Sequence, residues 1–267
     1  MFPGWEMPEI EFIIHKINFN LLKENFCSNI VAMRLGVNID HIATLRNARG
    51  GFEPDIVEAA KIILKEDIHS LTMHLREDRR HIKDSDLYNV KKLGAKINLE
   101  MAATEEIQKI ALDIAPYSIC LVPEKRLEIT TEGGLDVDIQ KEYLKNFIKP
   151  LKDKGILVSM FIDADIKQIN ASKYIEADYI ELHTGKFSNA FKDGKYIEEL
   201  NELKQGTTYA QTLGLKVNAG HGLNYQNVGL MHGIDGLCEL NIGHSIISRA
   251  VFVGIKQAVI DMLNLIK

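Results

Sequence analysis

The sequence is poor in cysteine. Its 267 residues hold three, Cys27, Cys120 and Cys238, odd in number, far apart and without a CxxC pair. That excludes a disulfide framework and points to buried thiols in a reducing, cytoplasmic compartment. Long apolar runs are missing as well, and none approaches the roughly 20 residues of a membrane-spanning helix. The first apolar stretch is broken by Glu11, His15, Lys16 and Asn18, and no small-residue cleavage site follows it, so it does not read as a secretory leader. Positive charge is not in surplus. A net charge of −5 argues against a nucleic-acid partner. No GxGxxG follows the first strand-like run, which removes the main dinucleotide fingerprint.

What is present is a balanced globular composition, with 46% hydrophobic and 26% charged residues. A chain of this length buries enough surface to fold without staples. Residues 1–32 read as a peripheral N-terminal extension carrying an amphipathic patch from Ile10 to Leu22. Met33 stands just before the first strand and is an alternative start. Residues 33–267 read as one catalytic domain. Eight β-rich runs recur along it: Leu35–Ile39, Ser70–His74, Ala95–Glu100, Ser118–Val122, Leu157–Ile162, Asp178–Leu182, Leu215–Asn218 and Cys238–Ile242. Their Val/Ile/Leu content suits parallel strands covered on both faces.

Helical patterns separate the runs. Pro54 opens one, with Ile56, Ala59, Ala60, Ile63 and Leu64 on one stripe. Thr104 caps another, ahead of Glu105 and Glu106. Asp138–Lys152, Asp165–Glu176, Asn189–Leu213 and His244–Ile266 supply more, and Pro150 should shorten or kink the first of these four. Eightfold strand–helix alternation predicts an α/β fold, a (β/α)8 TIM barrel with extra peripheral helices.

In such a barrel chemistry sits at the C-terminal strand ends. Here the runs end in Asn38-Ile39-Asp40-His41, Thr72-Met73-His74-Leu75-Arg76, Asn98-Leu99-Glu100, Glu181-Leu182-His183, Asn218-Ala219-Gly220-His221-Gly222 and Asn241-Ile242-Gly243-His244. Side chains alternate faces, so Asn38 pairs with Asp40, Thr72 with His74 and Arg76, and Asn98 with Glu100. One such polar residue is ordinarily structural; six strand ends behaving alike predict one convergent site. The Gly220-His221-Gly222 and Gly243-His244-Ser245 turns follow the seventh and eighth strands, the usual phosphate corner of this fold. The basic stretch from His74 to His81 suits a second anion, since Arg matches phosphate with a planar fork. Lys96 and Lys216 lie at strand starts and Lys125 in a loop, which disfavours an enzyme-bound imine. Two Gly-containing segments, Arg46 to Phe52 and Lys125 to Gly134, are candidate lids.

Nine segments resemble the pyridoxine 5'-phosphate synthase family: GVNIDHIATLRNARG (36–50), HLREDRRHI (74–82), INLEMA (97–102), LVPEKR (121–126), TTEGGLDV (130–137), FIDAD (161–165), HTG (183–185), VNAGHGL (217–223) and ELNIGHSII (239–247). They run in order from about residue 35 to 262. The resemblance implies condensation of 3-amino-2-oxopropyl phosphate with 1-deoxy-D-xylulose 5-phosphate. It implies His74 and Glu100 as general bases, His221 as general acid and Glu181 as transition-state stabiliser. It assigns Asn38, Arg49, Gly222, Gly243 and His244 to the amino ketone phosphate. Asp40, His41, Arg76, His81 and Thr130 fall to the ketose phosphate. It further implies no metal or organic cofactor, and a homo-octamer built from dimers, in which Arg49 reaches a neighbour's site.

Two other classes compete. A zinc-dependent hydrolase would draw on Asp40, His74, Glu100, His183 and His221, but Asp40 and His41 are adjacent and give no HxH pair. A binding barrel without chemistry would have lost the acid–base set, whereas His74, Glu100 and His221 all remain.

Overall fold

Each β-rich run forms a strand, and each strand lies parallel to the next. The computed structural model describes residues 33–124 and 133–267. The chain divides into Met1–Val31 and Ala32–Lys267. The expectations for residues 1–32, Cys27, Lys125 and Thr130 lie outside the described residues. In the second unit, β1 (Arg34–Asn38), β2 (Ser70–His74), β3 (Ile97–Met101), β4 (Ser118–Leu121), β5 (Leu157–Ile162), β6 (Tyr179–His183), β7 (Lys216–Gly220) and β8 (Leu237–Ile242) close into a barrel in sequence order. β1 pairs with β8 to complete it.

The helices are α1 (Asp40–Arg49), α2 (Ile56–Ile63), α3 (Asp84–Lys91), α4 (Glu105–Ile114), α5 (Val137–Asp153), α6 (Ile166–Tyr174), α7 (Gly185–Lys192), α8 (Ile197–Thr212), α9 (His244–Val253) and α10 (Ile255–Ile266). Carboxylates start several of them. Asp55 accepts from the Val57 and Glu58 amides, and Asp165 from those of Lys167 and Gln168, satisfying amides that have no partner inside the helix. Thr104 occupies its cap position without a side-chain bond. α5 runs on through Pro150 to Asp153. The proline removes one amide near the helix end, and buried Phe147, Ile148 and Leu151 pin that turn to the core. Asn189–Leu213 is two helices rather than one, separated at Gly194, where φ is +70°. His244–Ile266 is likewise broken at Gly254, with φ +81°. Residues 46–49 of the first candidate lid belong to α1.

The strands are covered on both faces, as expected, but hydrocarbon dominates only the outer one. Leu35, Val37, Leu71, Met73, Ile97 and Leu99 are fully buried in the core. The alternate positions carry polar groups that meet inside the barrel. Ser70 Oγ on β2 donates to Glu239 Oε1 on β8 at 2.5 Å, and Thr72 Oγ1 to Asn241 Oδ1 at 3.0 Å. These side chains reach past β1, where Gly36 leaves them room: a Cβ there would stand 2.1 Å from Asn241 Oδ1. Asn241 Nδ2 in turn donates to Glu181 Oε2 on β6 at 2.6 Å, past Gly220 of β7. A polar interior survives because most groups in it find a partner, although Asn218 Oδ1 is buried without one.

Behind the mouth, α1 is bolted to the loop after β2. Arg46 makes a two-pronged pair with Asp86 at 2.6 and 2.8 Å, both side chains about 9% exposed. Arg46 Nη2 and Asn47 Nδ2 also donate to the His81 carbonyl. Asp86→Ala leaves that guanidinium buried without its counter-ion and should cost about 3–5 kcal/mol. Urea unfolding checks it: the midpoint should fall at unchanged slope, and a loss under about 1 kcal/mol, the range of an exposed pair, would contradict the role.

Candidate active site

β1 stops at Asn38, and Asp40 is already the first residue of α1. The shared-face argument for this pair therefore holds by hydrogen bonding rather than by strand pleat. Asn38 Nδ2 donates to Asp40 Oδ2 at 2.9 Å, and the Asp40 amide returns a bond to Asn38 Oδ1. The other Asp40 oxygen accepts from the His74 amide at 2.9 Å, tying β1 to β2. Asn38 Nδ2 also reaches Glu100 Oε2 on β3 at 3.5 Å, and His74 Nδ1 stands 3.8 Å from the same oxygen. Asn38, Asp40, His74 and Glu100 thus form one cluster across three strand ends.

Burial makes these carboxyls unusual. Asp40 is pushed up to about 6 by burial, against the pull of His74 and Asn38. Glu100 lies well above the carboxylate range because of burial, with Asp40 and Glu181 adding like charge. Glu181 is pushed up to about 7 by burial, opposed by its bond from Asn241. Three acids that hold their protons above the ordinary carboxylate range are suited to giving and taking them there.

Across the mouth, β7 runs into the Gly-His turn. His221 has φ +79° and Gly222 φ +83°. A left-handed histidine costs about 1–3 kcal/mol. The turn is held by buried Thr184, whose Oγ1 donates to the Gly220 and His221 carbonyls at 2.8 and 2.6 Å. His221 packs edge-on against His183 at 5.0 Å, and His183 Nδ1 lies 3.1 Å from Asp163 Oδ1. At the neighbouring corner Gly243 approaches Asn38 so closely that a Cβ would stand 2.8 Å from its Cβ. His244 opens α9 there, and Ser245 Oγ donates to the Leu223 carbonyl, joining the two Gly-His turns.

His41 stands edge-on to His244 at 5.0 Å, with its Nδ1 buried and unbonded. Burial and His244 both lower its pKa. On the other side, the His81 ring lies 5.6 Å from that of His74 and is pushed down to about 4 by burial, His74 and Arg76. Arg76, beyond the end of β2, pairs with Asp78. Arg49 lies exposed at the end of α1, apart from this cluster. The wider set Asp40, His74, Glu100, His183 and His221 does not close around a metal-sized space. Among the described residues, the donors of Asp40, His74 and His81 lie within 4.8 Å of one another.

Sequence reasoning passed over Glu124, Asp163, Thr184 and the Arg46–Asp86 pair. Glu124 Oε1 is 2.8 Å from His74 Nε2. Glu124 and Asp163 lie in the LVPEKR and FIDAD segments, so their presence there was the available signal.

Comparison with known proteins sharpens this picture. Residues 35–267 match the family described as pyridoxal phosphate biosynthesis protein PdxJ. A pyridoxine 5'-phosphate synthase of Hydrogenobaculum sp. is 54% identical over 88% of this chain and 100% of its own. Those of Sulfurihydrogenibium sp. and Aquifex aeolicus are 55% and 53% identical, with 98% and 100% of their lengths covered. The crystal structure of KGPDC from Streptococcus mutans superposes with a TM-score of 0.60 at 11% identity, covering 88% of this chain and 97% of that one. At that identity the likeness is one of fold.

A carboxyl whose pKa rises on folding stabilises the fold most below its ordinary value and loses that contribution as pH rises through the folded one. For Glu181 the window runs from 4.5 to about 7. Glu181→Gln keeps an acceptor for Asn241 and has no charge to bury. Its stability should match the wild type near the bottom of that window and exceed it at pH 8 by on the order of 3 kcal/mol. Denaturant titrations across this range check it; parallel curves would contradict the shift.

Proposed function

Because the chain belongs to the PdxJ family of pyridoxal phosphate biosynthesis proteins, we propose that its barrel mouth performs the pyridoxine 5'-phosphate synthase reaction. It condenses 3-amino-2-oxopropyl phosphate with 1-deoxy-D-xylulose 5-phosphate into pyridoxine 5'-phosphate, phosphate and water. The single observation that carries the site is the cluster of Asn38, Asp40, His74 and Glu100 over three strand ends.

The amine of one substrate attacks the ketone of the other, so the imine forms between substrates and needs no enzyme lysine. Dehydration, loss of the sugar phosphate and an aldol-type closure then build the ring. Each step moves protons, and His74 and Glu100 take them while His221 gives them. Glu181, deeper in the barrel, stabilises the charge that develops. The chemistry is that of a transferase working by proton transfer alone, without metal or organic cofactor.

Asn38, Arg49, Gly222, Gly243 and His244 hold the amino ketone phosphate, where the two joined Gly-His turns offer backbone amides and a helix N-terminus. Asp40, His41, Arg76, His81 and Thr130 hold the ketose phosphate. His41 and His244 belong to different substrates and touch edge-on. That contact supports adjoining subsites, which a bond between the two ketones requires.

The exposed position of Arg49, with Phe52, Val251 and Phe252 also exposed, supports an oligomer, the homo-octamer, in which Arg49 completes a neighbour's site. Residues 1–32 are peripheral to the reaction, as the start of the family match at residue 35 suggests. The absence of a helix long and apolar enough to cross a membrane among the described residues accords with a cytoplasmic enzyme.

Mixing the two ketones with purified protein and following the product's absorbance tests the reading. Glu100→Gln should lower kcat at least ~100-fold, the low end for a general base, with the fold intact; near-normal turnover would remove Glu100 from the mechanism. A chain lacking residues 1–32 should retain wild-type turnover, and loss of activity in a truncation that still folds would contradict their peripheral place.

A further inference from the structure

Glu124 leaves β4 by a three-residue step and turns back under the loop after β2. Its side chain is 5% exposed. One carboxylate oxygen lies 2.8 Å from His74 Nε2, and the other accepts from the Glu77 amide at 3.0 Å. Both oxygens are therefore held, and from one segment, so the carboxylate cannot turn without breaking a bond. Burial alone would push its pKa up, but His74, the Glu77 amide and Arg76 outweigh it and hold the group below the usual range.

An ionised carboxylate only accepts hydrogen bonds. The hydrogen of a neutral His74 ring then sits on Nε2, and the lone pair is on Nδ1. That nitrogen faces the opposite way, 3.8 Å from Glu100 Oε2, into the cluster described above. We infer that Glu124 is a positioning residue that locks His74 in the Nε2–H tautomer and presents Nδ1 as the basic atom. The inference rests on His74 being a general base. It assigns His74 a buried carboxylate partner and names the nitrogen that takes the proton. The negative charge behind the ring also stabilises the imidazolium once the proton has arrived. The same carboxylate joins the exit loops of β2 and β4, so the base is aligned by the segment that leads into residues 125–132.

Two variants and one spectrum test this. Glu124→Gln keeps the volume and an acceptor oxygen but removes the charge. Its kcat should fall roughly 10-fold to 100-fold, short of losing the base outright, with KM for both ketones little changed. In a His74→Asn background the same change should have no further effect. Nitrogen NMR of the wild-type chain at pH 8 should show His74 Nδ1 unprotonated, and Glu124→Ala should show mixed tautomers.

An Nδ1–H tautomer in the wild type overturns the inference, and so does full turnover in Glu124→Gln when His74→Asn is inactive. In either case the role of His74 stands. Near-normal turnover in His74→Asn removes the base itself, and the positioning role with it. Should Glu124→Gln fail to fold, the wild-type tautomer decides alone.

Discussion

Desolvation of acidic groups at one end of the barrel is the constraint on which the rest depends. Asp40 and Glu181 are buried, and Glu100 nearly so. Three carboxylates so close cannot all ionise cheaply away from water. The molecule answers with protons and with amides. Asn38 and the His74 amide satisfy Asp40, and Asn241 satisfies Glu181. What remains is a set of carboxyls that stay protonated well above the usual range. A ring closure that proceeds by repeated proton transfer needs groups of this kind at its reacting atoms.

The fold maintains that arrangement through its interior rather than its loops. A barrel packed with hydrocarbon would separate the strand ends by a dry plug. Here a Ser70–Glu239 pair and a chain of Ser118, Asn98, Thr72 and Asn241 are hydrogen-bonded below the mouth. Gly36 and Gly220 make room for them, since a side chain at either would collide with polar atoms of the strands beyond. His221 is one of four non-glycine residues with positive φ among the described residues, with Arg79, Ala115 and Glu176, and Thr184 holds it by two carbonyls. The HTG segment acquires a physical reason from that clamp.

Much of this was legible in the residues. Strand positions followed from apolar clustering, and they shifted by no more than two residues. The convergence of Asn38, Asp40, His74 and Glu100 followed from their place at strand ends. Coverage of both strand faces was legible too, but composition does not reveal which alternate positions point into a polar barrel. Helix breaks at Gly194 and Gly254 were hidden by apolar periodicity continuing on both sides. Glu124, Asp163 and Asp86 were missed for a common reason. Each works through a partner far away in sequence, His74, His183 or Arg46, and periodicity carries no information about contacts of that range.

The raised pKa of the buried Glu100 carboxyl is the most direct test of this account. Infrared difference spectroscopy of the wild type against Glu100→Gln, followed through a pH titration, resolves a single carboxyl. The account predicts a carboxylic acid band that persists above the ordinary carboxylate range in the wild type and is missing from the variant. A band that titrates away in the ordinary carboxylate range, near 4.5, would contradict it.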